Sequence, residues 1–140
     1  MKKILFVILI VSLKVNSQEL VGSWKVVSYE DEICYFNKTT DSISYKDASR
    51  KGEAENFRKM SEILIFPISY SFESNGNYTL TQPMIGEING QFRFDQVNKK
   101  IVFIDDEGKK YEIPFLYRDN ILFLDMKMET DYIKIGLNKN

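Results

Sequence analysis

The residues of this chain that could do chemistry are carboxylates, tyrosines and one cysteine, because its 140 residues include no histidine. Ser-His-Asp triads, Cys-His pairs and His-ligated metal sites are therefore excluded. Two acidic runs, residues 30–32 and 105–107, contain the hard oxygen ligands that calcium prefers. Neither run has the spaced alternation of a calcium-binding loop, so we interpret both as solvated turn charges and predict no metal site.

The remaining catalytic designs also lack a match. Cys34 stands between Ile33 and Tyr35, and no cationic neighbour in the sequence would activate its thiol, so we interpret it as a small apolar residue. A single cysteine also excludes an internal disulfide. A glycoside hydrolase needs two carboxyl groups that face each other in a cleft, whereas the faces predicted to point inward are aromatic. The sequence therefore predicts a protein that is not an enzyme and needs no cofactor. An enzyme that uses a carboxylate or a tyrosine inside the barrel is the least favoured of the function classes that stay open.

The more informative side chains are large apolar ones that recur at every second position of successive strand-like runs. We predict that nine of them face the inside of a barrel and are candidate ligand contacts: Tyr70, Phe72, Tyr78, Leu80, Phe92, Phe94, Tyr111, Phe115 and Phe123. A barrel of eight strands is just wide enough to be filled by its side chains or to hold one small ligand. The sequence leaves both outcomes open. If a cavity exists, the tyrosines are the expected contacts, because their hydroxyl groups need partners.

The runs that carry these residues predict about eight strands. Residues 68–72 and 78–81 alternate on either side of Asn75 and Gly76, which is the signal of a tight hairpin. Further runs follow at 88–95, 100–104, 110–117, 121–126 and 130–137. Pro114 is expected at an edge, at a bulge or at a strand end. Short turns between many strands favour an all-β fold with a single antiparallel up-and-down barrel, which leaves no exposed edges.

One segment departs from the period of two. Residues 47–61 place Ala54, Phe57 and Met60 at helical spacing and carry opposite charges four residues apart, so we predict one amphipathic helix inserted after the first strand. It would act either as a lid over the barrel mouth or as a cover packed on the barrel, and its narrow apolar stripe favours a cover. Residues 31–46 show no clear pattern, although residues 30–36 are compatible with an extension of the first strand.

The beginning of the chain predicts export. In residues 1–17, Lys2 and Lys3 precede an apolar run at 4–13 that is too short to span a bilayer comfortably, as in a secretory signal peptide. We therefore expect one domain at 18–140, periplasmic or secreted, with no stable membrane span after cleavage; a retained anchor is the alternative. Loss of the three leader lysines takes the basic count from 19 to 16 against 20 acidic residues, so no basic stripe for nucleic acid is expected.

The opening strand carries the most specific motif. Gly22 precedes Trp24, the only tryptophan, at the start of an alternating run. A large ring at this point can plug the closed end of a small barrel, and a glycine before it allows the chain to turn in tightly. With the leader and the hairpins, this motif resembles the small bacterial lipocalin-like domain proteins. In the wider lipocalin family the tryptophan packs against a basic side chain near the end of the last strand, where this chain has Lys134 and Lys139.

The resemblance implies a barrel that takes a small hydrophobic molecule into its mouth, with no cofactor and no catalytic residue to carry over. We accordingly expect an exported, non-catalytic, lipocalin-like barrel that binds such a molecule. The alternative is a filled barrel that serves as an interaction or inhibitor scaffold through its loops and its inserted helix. The sequence identifies neither the ligand nor a protein partner.

Overall fold

The computed structural model describes residues 17–127 and 129–140, which form one sheet and one α-helix. The strands are β1 (Gly22–Glu30), β2 (Cys34–Asn37), β3 (Ser42–Tyr45), β4 (Ser69–Phe72), β5 (Asn77–Gln82), β6 (Gly86–Asp95), β7 (Lys100–Asp105), β8 (Lys110–Arg118), β9 (Ile121–Lys127) and β10 (Tyr132–Lys139). The helix, α1 (Lys51–Leu64), lies between β3 and β4. The predicted leader lies outside the described residues except for Ser17, which begins a 3-10 turn that ends at Leu20.

Eight of these strands, β1 and β4 to β10, form a closed antiparallel barrel. β4 to β10 follow one another around the wall in chain order, and β1 closes the ring by pairing with β4 on one edge and with β10 on the other. The predicted all-β up-and-down barrel of eight strands with one inserted helix is therefore confirmed. Pro114 lies at the last β8 position that pairs with β7, while the residues after it pair with β9, so it occupies a transition in the ladder.

The other two strands form a hairpin that the sequence did not predict. The edge of β1 that pairs with β4 at Gly22 to Lys25 pairs with β2 further along, at Ser28 to Glu30. A register shift between Val26 and Ser28 separates the two halves, as expected of a bulge that bends a strand. β1 therefore ends at Glu30 instead of continuing to residue 36. The turn that follows it is held by Asp31 Oδ1, which accepts the backbone N–H groups of Ile33 in the turn, at 2.8 Å, and of Cys34, the first residue of β2, at 3.0 Å.

Helix α1 covers the face of this hairpin that continues the barrel interior. Its Phe57 ring lies 4.9 Å from the ring of Tyr29 on β1 and 6.1 Å from that of Phe36 on β2, measured between centroids. Arg58 pairs with Asp41 in the β2–β3 turn, which fixes the helix from its polar side. The helix begins at Lys51, later than the predicted residue 47, because residues 48–50 form a 3-10 turn first.

Gly52 provides a direct test of this helix. It is exposed, its backbone is helical, and a Cβ atom at this position would meet no atom within 4 Å. We expect Gly52→Ala to raise the free energy of unfolding by about 0.5–1 kcal/mol, since alanine loses less backbone entropy on folding. Urea denaturation measures the change. The matched control is Gly86→Ala, where the space is equally open but φ is +88°, so that variant should be destabilised. Changes of the same sign in the two variants would contradict this account.

Trp24 plugs the end of the barrel at which β1 begins, here called the closed end. Its ring is fully buried, and its Nε1 donates a hydrogen bond to the backbone oxygen of Leu20 in the 3-10 turn, at 2.9 Å. The ammonium of Lys139 lies 5.8 Å from the centre of the Trp24 ring, so a lysine of the last strand provides the basic contact. Gly22 allows this approach, because it has φ of +136° and a Cβ would lie 2.5 Å from Lys139 Cε.

Phe123 corrects one inward assignment. On β9 the buried side chains are Leu122 and Leu124, whereas Phe123 points outward between Leu116 on β8 and Gly136 on β10. The prediction that Phe123 faces the barrel interior is therefore wrong. Residues 121–124 are four apolar residues in succession, which hides the set that points inward. The outward-facing Phe123 ring is itself half-buried, with the Arg118 guanidinium 5.9 Å from its centre.

Candidate functional site

The closed half of the barrel is filled by aromatic rings. Phe72 lies 4.8 Å from Phe92 and 5.9 Å from Phe94, and Phe94 lies 5.7 Å from Phe115, all between ring centroids and all edge-on. Such edge-to-face contacts are a favourable geometry for aromatic pairs. These four predicted ligand contacts therefore pack against one another at this end of the barrel.

The opposite half of the barrel holds a cavity of about 290 Å³, here called the mouth cavity. It lies near the ends of β5, β7 and β9 that adjoin residues 83–85, 106–109 and 129–131. The residues that line it are Tyr70, Tyr78, Leu80, Gln82, Ile88, Phe103, Asp105, Tyr111, Ile113 and Met126. Tyr111 is 43% exposed, so its ring lies at the rim, whereas Tyr70 is only 5% exposed and lies deep. The volume is at the lower end of the range for small-molecule pockets, about 300–1,000 Å³.

Four of the nine predicted contacts line the mouth cavity, namely Tyr70, Tyr78, Leu80 and Tyr111. Four apolar lining residues were not predicted as contacts: Ile88, Phe103, Ile113 and Met126. Ile88 and Ile113 did carry a signal, because each alternates in phase with aromatic residues on its own strand. Phe103 and Met126 lie in or beside continuous apolar runs, where alternation gives no phase. Whether any of these side chains contacts a ligand stays a prediction.

Gly90 gives the cavity its shape. A Cβ at this position would lie 2.2 Å from the backbone oxygen of Ile104, 2.8 Å from Tyr78 Cε1 and 3.1 Å from the Cα of Asp105. The missing side chain therefore lets the Tyr78 ring lie flush against β6. The same ring meets Phe103 edge-on, with 4.9 Å between centroids, which completes one wall of the cavity.

The polar groups of the mouth cavity are few. Burial raises the pKa of Tyr70 to about 12, with a further contribution from the neighbouring Tyr78. Burial, and then the Asp105 carboxylate, raise the pKa of Tyr78. Among residues 17–127 and 129–140, neither hydroxyl oxygen is one of the side-chain polar atoms that are both buried and unpaired, so each hydroxyl group is accessible to water. Both tyrosines are therefore protonated at neutral pH and free to donate a hydrogen bond into the cavity.

Asp105 is the one lining residue, among those described, that is charged at neutral pH. Its Oδ1 accepts the backbone N–H groups of Glu107 and Lys109 at 3.0 and 2.8 Å, which holds the β7–β8 turn. Residues 105–107 were predicted to be turn charges. One oxygen of Asp105 does hold the turn, but the same residue also lines the mouth cavity. In the described ranges, no three His, Cys, Asp or Glu side chains converge on a possible metal position.

Cys34 lies away from the mouth cavity. It is buried, and burial together with the nearby Asp31 carboxylate raises the pKa of its thiol to about 12. Its Sγ lies 3.6 Å from Asp31 Oδ1, so the thiol has an acceptor for its proton. A thiol in this setting is protonated at neutral pH, which is the opposite of what a cysteine nucleophile needs.

Two further concavities lie on the outer face of the barrel. The larger, about 640 Å³, is a polar groove that includes Asn77, Thr79 and Asn89. The second, about 400 Å³, lies over β8 to β10 and includes Leu116 and Phe123, together with charged side chains of β9 and β10. The mouth cavity is the concavity that the barrel wall encloses with mainly apolar side chains, which is the usual composition of a small-molecule site. None of the helices in the described part of the chain has the length and apolar character needed to cross a membrane.

The comparisons with known proteins support the fold. No protein-family model matches the chain, and no curated protein matches it. Among solved structures, the chain is similar to a crystal structure of a DUF4847 family protein from Bacteroides vulgatus ATCC 8482, with a TM-score of 0.56 and 18% sequence identity. The match covers 89% of this chain and 99% of that one. At this level of identity the similarity extends to the barrel architecture and carries no assignment of ligand or reaction.

Proposed function

We propose that this protein is an exported, non-catalytic barrel, related to the lipocalin-like proteins, that binds a small hydrophobic molecule in the mouth cavity. The observation that carries the proposal is the contrast between the two halves of the barrel interior. Rings fill the closed half, whereas the other half keeps about 290 Å³ of space with mainly apolar walls. Apolar side chains that line a void lose packing contacts, and a ligand that fills the void restores them.

In the proposed function, helix α1 is a cover over the β2–β3 hairpin. Phe57 fixes it over the hairpin, and no residue of the helix lines the mouth cavity among the residues described. Access to the cavity therefore runs past the rim, where Tyr111 is exposed, and does not require the helix to open. Binding is expected without a large conformational change.

The test of binding uses the uncharged fluorescent dye N-phenyl-1-naphthylamine, whose emission rises in apolar surroundings. We expect saturable binding to the protein, and a loss of at least about tenfold in affinity for Leu80→Trp, because the larger ring occupies the cavity. The matched control is Leu116→Trp on the outer face, where the wild-type side chain is 53% exposed and the cavity is untouched. Equal loss of binding in both variants, with both folded by circular dichroism, would contradict the proposed site. Native mass spectrometry of protein from the producing cells would give the mass of a retained natural ligand.

A scaffold that binds a protein partner is the second candidate. Its support is the outer surface of α1, where Ile63 is 68% exposed and Met60 is 50% exposed. If the protein is a scaffold, the folded protein should bind no dye, and Ile63→Asp should abolish binding of the partner. If the protein is a carrier, it should bind the dye, and Ile63→Asp should leave the dye affinity unchanged.

Export is proposed from the leader alone. A positively charged start and a short apolar run are the features that a secretion machinery recognises. Cell fractionation, with amino-terminal sequencing of the mature protein, tests the proposal, and a first residue near Gln18 is the expected result. A full-length protein retained in the cytoplasm would contradict it.

A further inference from the structure

The lining of the mouth cavity carries information about the class of ligand. We propose that the cavity selects an uncharged apolar molecule with one hydrogen-bond-accepting atom, such as a ketone or an ether, and discriminates against anions such as carboxylates and sulfonates. This inference rests on the proposed function, because it concerns the ligand of the same site.

The charge of the cavity lining disfavours an anionic ligand. Of the ten described residues that line the cavity, only Asp105 is charged at neutral pH, and its charge is negative. A buried anion would lose its hydration without gaining an opposite charge and would meet this carboxylate at short range. One oxygen of Asp105 already accepts two backbone N–H groups, so the carboxylate is fixed in place at the rim.

The ammonium group of Lys109 is a cation that lies near the mouth cavity but outside its lining. The ammonium of Lys109 lies 5.1 Å from the centre of the Tyr111 ring, on an exposed side chain at the rim. It could pair with an anionic group that stays in solvent, but it does not enter the lining. A charged test ligand must therefore carry its charge on the part of the molecule that enters the cavity.

The tyrosine hydroxyl groups of the lining favour a ligand with a hydrogen-bond acceptor. Tyr70 and Tyr78 line the cavity, and the described residues provide no hydrogen-bond partner for either hydroxyl. Burial raises the pKa of Tyr70 to about 12, so that its hydroxyl keeps a proton to donate. These hydroxyl oxygens are not among the buried unpaired atoms of the described residues, so water reaches them in the empty cavity. A ligand with an acceptor replaces the hydrogen bond of the water that it displaces, whereas a hydrocarbon leaves the donor unpaired.

Charge selection can be tested with two dyes that share one aromatic core. N-phenyl-1-naphthylamine is uncharged, and 8-anilino-1-naphthalenesulfonate is the same molecule with a sulfonate on the ring. We expect the sulfonate to bind at least about tenfold more weakly at pH 7. Asp105→Asn, which keeps an oxygen for the turn, should narrow the difference in affinity between the two dyes severalfold. Lys109→Gln is the matched control and should leave the difference unchanged.

Hydrogen-bond selection can be tested by displacement of the uncharged dye with 2-acetylnaphthalene or 2-ethylnaphthalene, which have similar shapes but differ in the carbonyl oxygen. We expect the ketone to bind about fivefold or more tightly to the wild-type protein, and this preference to disappear in the double variant Tyr70→Phe, Tyr78→Phe. The double variant keeps both rings, and its binding of the uncharged dye shows that the cavity is intact.

The outcomes separate the two proposals. If a folded protein binds neither dye, the proposed function itself fails. If both dyes bind equally, or if the ketone has no advantage over the ethyl compound in the wild-type protein, the cavity binds apolar molecules but the inferred selectivity is overturned.

Discussion

Replacement of Trp24 by alanine is expected to lower the free energy of unfolding by about 3–5 kcal/mol, the usual cost of deleting a fully buried large aromatic side chain. The ring is the plug of the closed end, meets Tyr117 edge-on at 6.1 Å between centroids, and donates its indole N–H to Leu20. Because domains of this size are stable by about 5–15 kcal/mol, the variant should be marginally folded. Urea denaturation followed by fluorescence of the tyrosines and by circular dichroism measures the loss.

The control for this prediction is Trp24→Phe, which keeps a ring but removes the indole N–H. It should lose clearly less stability than Trp24→Ala, since much of the buried apolar surface remains. Trp24 does not line the mouth cavity, so dye affinity of the folded fraction should be unchanged in both variants. A loss below about 1 kcal/mol for the alanine variant would mean that the closed end does not depend on its plug.

Gly90→Ala is expected to have the second largest effect, because it combines a loss of stability with a loss of binding. The added carbon would overlap the backbone of Ile104 and press on the Tyr78 ring, at 2.2 and 2.8 Å. Overpacking of this kind costs about 1–3 kcal/mol, and more where backbone has to move. The Tyr78 ring lines the mouth cavity, so its displacement changes the cavity wall, and we expect the affinity for N-phenyl-1-naphthylamine to fall at least about fivefold.

The matched control is Gly108→Ala in the β7–β8 turn, where no atom lies within 4 Å of the added carbon but φ is +84°. This variant should lose about 1–2 kcal/mol through the backbone alone and keep its dye affinity. Stability is measured by urea denaturation and affinity by fluorescence titration. Normal dye binding by Gly90→Ala would show that Tyr78 does not form the cavity wall as described.

The sequence predicted the barrel well because its signals are local and independent of one another. The hairpin turn before β5 lies at the predicted Asn75-Gly76, and Gly76 has φ of +87°. Its loop has three residues, 74–76, because Phe72 pairs with Tyr78 and Glu73 bonds Asn77, so it is longer than a two-residue Asn-Gly turn. The β2–β3 hairpin was not predicted, because each of its strands has only four residues and no Asn-Gly turn joins them; β4 is equally short, but such a turn follows it. Four residues give a period of two little length in which to repeat, and the burial of this hairpin depends on a helix that comes later in the chain.

The candidate site was predictable in part, for a related reason. Alternation identifies which residues face inward, and it did so for Tyr70, Tyr78 and Leu80, but it does not show how far along the barrel axis each one lies. Phe72 and Tyr70 share a face and a strand, yet Phe72 packs among rings while Tyr70 borders the cavity. The difference depends on the total volume of the side chains that several strands place at each level of the barrel. It also depends on Gly90, whose contact with Tyr78 is known only once β6 is placed between β5 and β7.

The pairing of β1 with β10 has a consequence for how the protein is made. Ser23 and Asn140 are hydrogen-bonded although 117 positions separate them in the sequence, so the ring closes only after β10 has been synthesised. Contacts between such distant segments form slowly, because a large loop must close before the pairing is gained. Until then β1 and β9 both present unpaired edges, which can pair with other chains. A chain that ended before Tyr132 would keep those edges, and we therefore expect it to aggregate during synthesis instead of folding as a smaller sheet.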